Sequence, residues 1–138
     1  MRIGTVEARQ RFGRSRAARL ATVSADGQPH LVPVTFAIDG DMIYTAIDAK
    51  PKSTRQLRRL SNIGVNPKVC LLADHYADDW SALWWVRADG SAVIVSDAAG
   101  MTAPLRLLTR RYRQYEVDPP LGPVIAIRVS RWTGWSAS

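Results

Sequence analysis

One cysteine, two histidines and no apolar run near the roughly twenty residues of a membrane span set the first limits on this 138-residue chain. A lone thiol, Cys70, cannot form an internal disulfide, so a reducing compartment is expected. Cys70 lies in the run VCLLA and reads as a small buried apolar residue. Two histidines and one cysteine make poor material for zinc-type ligation. The string DHYADD gathers Asp74, His75, Asp78 and Asp79, but it reads first as a solvated loop after a strand, and no metal is expected. There is no G-x-S-x-G elbow, no glycine-rich phosphate loop and no dinucleotide fingerprint. No catalytic side chain can be nominated. The amino terminus has the positive charge of a signal peptide without its apolar centre. A cytoplasmic protein without a membrane partner is the expectation.

Acids are also scarce. Twelve Asp and Glu stand against 19 Lys and Arg, for a net charge of +7. From Lys50 through Lys68 there is no acid, and KPKSTRQLRRL alone carries five cations. Such a field raises the expectation of an anionic partner without naming one. Nucleic acid is not expected, because no aromatic residue interleaves with these cations.

The pattern along the chain is mostly strands. Thr5 reads as the N-cap of a short helix with Val6 and Phe12 as buried anchors. ARLATVS, PHLVPVTFAI and MIYTAI follow, separated by ADGQ and DGD, and Asp-Gly between β-branched runs marks hairpins. Three antiparallel strands in a meander are predicted. A second helix should start near Pro51, capped by Ser53 or Thr54, with Leu57, Leu60 and Ile63 on its buried face. KVCLLADHY, SALWWVRA and AVIVS read as three more strands, the last two joined by a turn at a third Asp-Gly. Thr102 should cap a last helix that places Leu105, Leu108, Tyr112 and Tyr115 on one face. VIAIRVSRW is the final strand. One domain spanning residues 1–138, mainly β, with few helices and a small closed or partly closed barrel, is the predicted architecture.

An apolar barrel with a cationic segment and no acid–base constellation suits a protein whose chemistry is supplied by a bound cofactor. Lys50 and Lys52 would precede a helix N-terminus, where free N–H groups favour an anion. Ser53 and Thr54 add hydroxyl donors, and Arg55 can fork onto phosphate oxygens. The competing reading is a solvated charged helix, which is also how Arg58 and Arg59 read. Five tryptophans are many for so small a core. Trp84 and Trp85 must face opposite sides of a strand, so one can fill the barrel while the other meets a partner or a planar ligand. Trp80, beside the loop, is the candidate for stacking on a ring.

The succession LATVSADGQPHLVPVTFAIDGDMIYTAID, KPKSTRQLRRLSNIGVNPKVCLLADHYADDWSALWWVRADGSA and GPVIAIRVSRWTGWSA resembles the pyridoxamine-phosphate-oxidase-like split β-barrel proteins. More narrowly, it resembles the actinobacterial class of coenzyme F420-dependent oxidoreductases. The resemblance implies an antiparallel split β-barrel and a homodimer with cofactor sites at the interface. It assigns the cofactor phosphate to Lys50, Lys52, Ser53, Thr54 and Arg55. Relatives commonly show K-x-R-N-L here, whereas this chain has KSTRQL, one residue longer between lysine and arginine. Val32 and Thr35 would lie along the ring, with Trp80 and Ser81 closing the site. The implied reaction is hydride transfer between the deazaflavin and a small organic substrate. FMN in the same fold is the alternative, as is a non-catalytic module that binds F420 or haem.

Overall fold

The computed structural model describes residues 1–47 and 57–138. Its strands are β1 (Arg2–Ile3), β2 (Ala18–Val23), β3 (Pro29–Val34), β4 (Ala37–Asp39), β5 (Met42–Ala46), β6 (Lys68–His75), β7 (Trp84–Val95) and β8 (Val124–Ser136). Helices α1 (Thr5–Arg14), α2 (Arg58–Val65), α3 (Ala98–Arg111) and α4 (Gln114–Val117) sit around them. All eight strands join one antiparallel sheet in the order β3-β2-β6-β7-β8-β5-β4, with β1 adding to β8. Its two outermost strands, β3 and β4, are consecutive in sequence and joined by Thr35 and Phe36. The sheet therefore curls on itself as a barrel left open between β3 and β4, the split β-barrel expected.

Strand alternation builds the core. In β2, Ala18, Leu20 and Thr22 point inward while Arg19, Ala21 and Val23 face out. Leu71, Val86, Ala88, Ile43, Ile125 and Ile127 complete the buried inner face. Helix α1 plugs one end with Ala8 and Phe12, both fully buried. Val6, expected to be an anchor, is exposed, because it lies two residues from Ala8 and so on the other side of the helix. Leu57, Leu60 and Ile63 join the main core as expected. Leu108 and Tyr115 are buried in a second cluster, with Leu105 and Tyr112 packed on it.

Several expected boundaries move. The predicted meander breaks because PHLVPVTFAI is two strands: β3 pairs with β2, and β4 pairs with β5. The third Asp-Gly is no turn. β7 runs unbroken through Asp89 and Gly90, with a bulge between them against β8. At the two real turns Gly27 and Gly40 have φ of 87° and 60°, whereas Gly90 is not among the glycines with positive φ. Its missing Cβ serves a different end, since a side chain there would collide with the Arg128 carbonyl of the neighbouring strand. The tail TGWS continues β8 rather than trailing from it.

The caps also shift. Gly4, not Thr5, precedes α1, and Asp97, not Thr102, caps α3 by accepting the Gly100 N–H. Helix α2 has Leu57 at its N-cap, a residue with no side-chain oxygen, and the expected caps Ser53 and Thr54 lie outside the described residues. Its N-terminus therefore lies beside Arg58 and Arg59, and Arg59 is half-buried rather than solvated. Cys70 alternates with the buried Val69 and Leu71 and so is half-buried on the outer face. Burial, then the nearby Asp89 carboxylate, pushes its thiol pKa up.

Asp41, in the β4–β5 turn, ties three elements together. Its carboxylate accepts from the Trp132 indole at 3.0 Å and from Arg9 of α1 at 2.8 Å. These two donors, the indole first, hold its pKa below the ordinary 3.8. A depressed folded pKa contributes stability above the unfolded value and loses it as pH falls through the folded one. Asp41→Asn is therefore expected to melt lower than the parent at neutral pH and to converge with it below pH 3.8. Melting curves for both proteins across that range check the sign; a gap that widens in acid would refute it.

Candidate functional site

The sequence-predicted residues fall into three groups. Lys50, Lys52, Ser53, Thr54 and Arg55 lie outside the described residues. The chain on either side of them is described: Ile47 is buried and Leu57 packs on the main core. Helix α2 then fastens to the barrel through the buried Asn62, whose amide donates to Thr22 Oγ1 at 3.0 Å. Thr22 is the register partner of His30 on β3. The His30 Nδ1 atom is buried and, among the described residues, unpaired.

Val32 and Thr35 belong to the second group. Val32 is half-buried, opposite Leu20. Thr35 follows the end of β3, and its hydroxyl shares a 2.7 Å hydrogen bond with Tyr115 Oη. Next to it the Tyr112 hydroxyl accepts the Phe36 N–H at 3.0 Å and lies 2.9 Å from the carbonyl oxygens of Phe36 and Arg16. Two tyrosines of α3–α4 thus hold the end of β3 in place. Arg111 adds a third hold, with its guanidinium 4.6 Å from the Phe36 ring centroid and a hydrogen bond to the Ser15 carbonyl. Burial lowers the Arg111 pKa. β3 is an outermost strand, so among the described residues its far edge has no ladder. Backbone groups there are open to a ligand or a partner.

Trp80 and Ser81 form the third group, in a single 3-10 turn (Trp80–Ala82) between β6 and β7. Trp80 is 72% exposed, as a residue available for stacking must be. Ser81 is already engaged: its N–H and hydroxyl both donate to Asp79, lowering that carboxyl's pKa, and its carbonyl accepts from Ser138. Register places this turn at the same end of the barrel as Thr35, since Ala18 lies opposite Val34 and the neighbouring β6 runs on to His75 beside Trp84. Ile47 follows Ala46, which pairs with Val124 and shares a buried cluster with Tyr115, the hydrogen-bond partner of Thr35.

Two features went unread in the sequence. The tyrosines of YRQY were placed on an apolar face, yet their hydroxyls anchor Thr35 and Phe36; buried tyrosines need such partners, and that was the available sign. The other is a cavity of about 480 Å³ at the same end, lined by Arg11, Arg14, Arg16, Asp74, His75 and Trp84. Asp74 pairs with Arg19 at 3.1 Å. Among the described residues no three His, Cys, Asp or Glu gather as a metal site.

The outer face of the sheet is partly apolar. Leu31 is 66% exposed and Trp135 38%. Leu31 lies in register with Ala21 and Cys70, and Leu72 with Arg87. Trp85 lies opposite Trp135, away from Trp84, which packs toward the core.

An antiparallel barrel open at one strand edge defines a split β-barrel class of domain. Residues 5–136 match the pyridoxamine 5'-phosphate oxidase family, and the chain belongs to it. No curated protein matches. Among solved structures, an FAD-binding protein from Mesorhizobium loti is similar at 18% identity and TM-score 0.71, covering 97% of this chain and 95% of that one. A conserved hypothetical protein from Mycobacterium tuberculosis gives 22% identity and TM-score 0.75, over 98% and 86%. The haem storage protein HutZ from Vibrio cholerae gives 20% and 0.68, over 92% and 89%. At these identities the likeness is one of fold.

Proposed function

We propose that this protein is an oxidoreductase that holds a flavin-type coenzyme, the deazaflavin F420, along β3 and transfers hydride between it and a small organic substrate. The observation that carries the reading is the open edge of β3, whose end is fixed by Tyr112 and Tyr115 and whose far side has no ladder among the described residues. The coenzyme phosphate would sit on Lys50, Lys52, Ser53, Thr54 and Arg55, and the ring beside Val32 and Thr35, with Trp80 and Ser81 at its margin. The coenzyme supplies the redox chemistry. The chain's own part is to bind, orient and exclude water. The net charge of +7 favours F420, whose oligoglutamate tail extends its anion beyond the phosphate.

The apolar outer face around Leu31, Leu72 and Trp135 suits a second copy of the chain, which would enclose the ring between two barrels in the cytoplasm. FMN or FAD is the second reading, favoured by the FAD-binding protein of the same fold. Haem without catalysis is the third, favoured by the haem storage protein.

Titration of F420, FMN, FAD and haem, followed by tryptophan fluorescence and sedimentation, separates these readings. F420 is expected to bind tightest, to a species of twice the chain mass. Arg55→Ala should weaken it about ten-fold or more, as loss of a charged hydrogen bond does. Shortening the oligoglutamate tail should weaken it further. Tighter FMN or FAD moves the assignment to the flavin, tighter haem moves it to storage, and an unaffected Arg55→Ala removes the phosphate site.

A further inference from the structure

We infer that the cavity between the end of α1 and the start of β7 binds a small, flat anion carrying several carboxylate or phosphate oxygens, at a site separate from the coenzyme's and not dependent on it. Its volume of about 480 Å³ lies within the usual range for small-molecule sites. Its charge is unbalanced in a specific way. Of the carboxylates nearby, Glu7 is taken by Arg11 at 2.7 Å and Asp74 by Arg19 at 3.1 Å. Neither acid reaches the other two arginines of the wall. Arg14 is exposed and, among the described residues, its guanidinium has no partner. Arg16 gives one N–H to the Arg111 carbonyl at 3.4 Å, which leaves its other donors unassigned.

Two like charges lining one cavity repel, and an anion placed there relieves that cost. The dipole of α1 opposes an anion here, since its C-terminal end is the negative one, so the attraction must come from the arginines. The guanidinium forks are what suit oxygens presented in pairs. The wall also contains an aromatic face. Trp84 packs on the core, and Arg11 lies 5.8 Å from its ring centroid, held there by Glu7 and by Ser136 Oγ at 3.2 Å. An indole with a fixed cation over it prefers a flat body to a bulky one. His75 offers further ring nitrogens to the ligand.

The probes are trimesate, citrate and inorganic phosphate, titrated into the full chain at low salt without coenzyme, with the tryptophan indole N–H resonances as readout. Trp84→Phe identifies the Trp84 resonance by its loss. That resonance is expected to move on binding, and trimesate, being flat, to bind tighter than citrate. Arg14→Gln and Arg16→Gln should each weaken binding about ten-fold. Arg113→Gln, an exposed arginine outside the cavity, should leave it unchanged. Tightest binding by phosphate would assign the oxygens to a phosphoryl group, within the same proposal. Equal loss in all three arginine variants, or a stationary Trp84 resonance, overturns it. Repeating the titration in Arg55→Ala keeps the result independent of the coenzyme reading.

Discussion

Phe12→Ala is expected to cost about 3–5 kcal/mol of folding stability, the range for deleting a buried aromatic ring. Phe12 is fully buried, 4.8 Å from the Phe36 ring centroid and 5.4 Å, edge-on, from that of Trp132. Its loss removes apolar burial and two aromatic contacts, and leaves a cavity where α1 plugs the barrel. The surrounding strands cannot collapse into that space, because β8 is tied on both sides to β7 and β5. Against a typical total of about 5–15 kcal/mol this is a large fraction, and the melting temperature should fall by about 10–20 °C. Phe12→Leu, which refills most of the space, should recover more than half of the loss. Thermal melts of both variants decide the matter; a Phe12→Ala protein that melts within a few degrees of the parent would mean that α1 is not structurally coupled to the barrel.

Tyr112→Phe is the second, at about 1–3 kcal/mol, the cost of leaving a buried polar group without a partner. Its hydroxyl accepts the Phe36 N–H and can donate its one proton to only one of the two carbonyls near it, those of Phe36 and Arg16. Phe36 is fully buried, so no water replaces the lost acceptor. Amide exchange at Phe36 should accelerate beyond what the global loss of stability explains. Because Thr35 and Phe36 follow the strand proposed to carry the coenzyme ring, coenzyme affinity should fall with it. A slow Phe36 amide in the variant would show that Tyr112 does not hold this strand end.

These two variants also mark where sequence reading succeeded and where it stopped. Phe12 was legible as a buried anchor because an aromatic residue on a short amphipathic helix has few other places to go. Leu57, Leu60 and Ile63 were legible for the same reason, as were Leu105, Leu108, Tyr112 and Tyr115. The hydroxyl partners of Tyr112 were not, since they lie some 76 to 96 positions away. Val6 was misjudged because hydropathy alone does not say which side of α1 faces the barrel. The arginines of α1 could be counted, but their assembly with His75 and Trp84 requires the ends of β6 and β7 to meet that helix.

Composition and local patterning were enough to establish a mainly β domain, its two Asp-Gly hairpins and the apolar faces of its helices. Those properties depend on residues within a few positions of one another, where sterics and periodicity act directly. Which Asp-Gly would not turn, where PHLVPVTFAI would break, and which side chains would share a cavity were matters of long-range pairing. Gly90 shows why: its conformation answers to a carbonyl on β8, 38 residues away, and no local rule contains that neighbour.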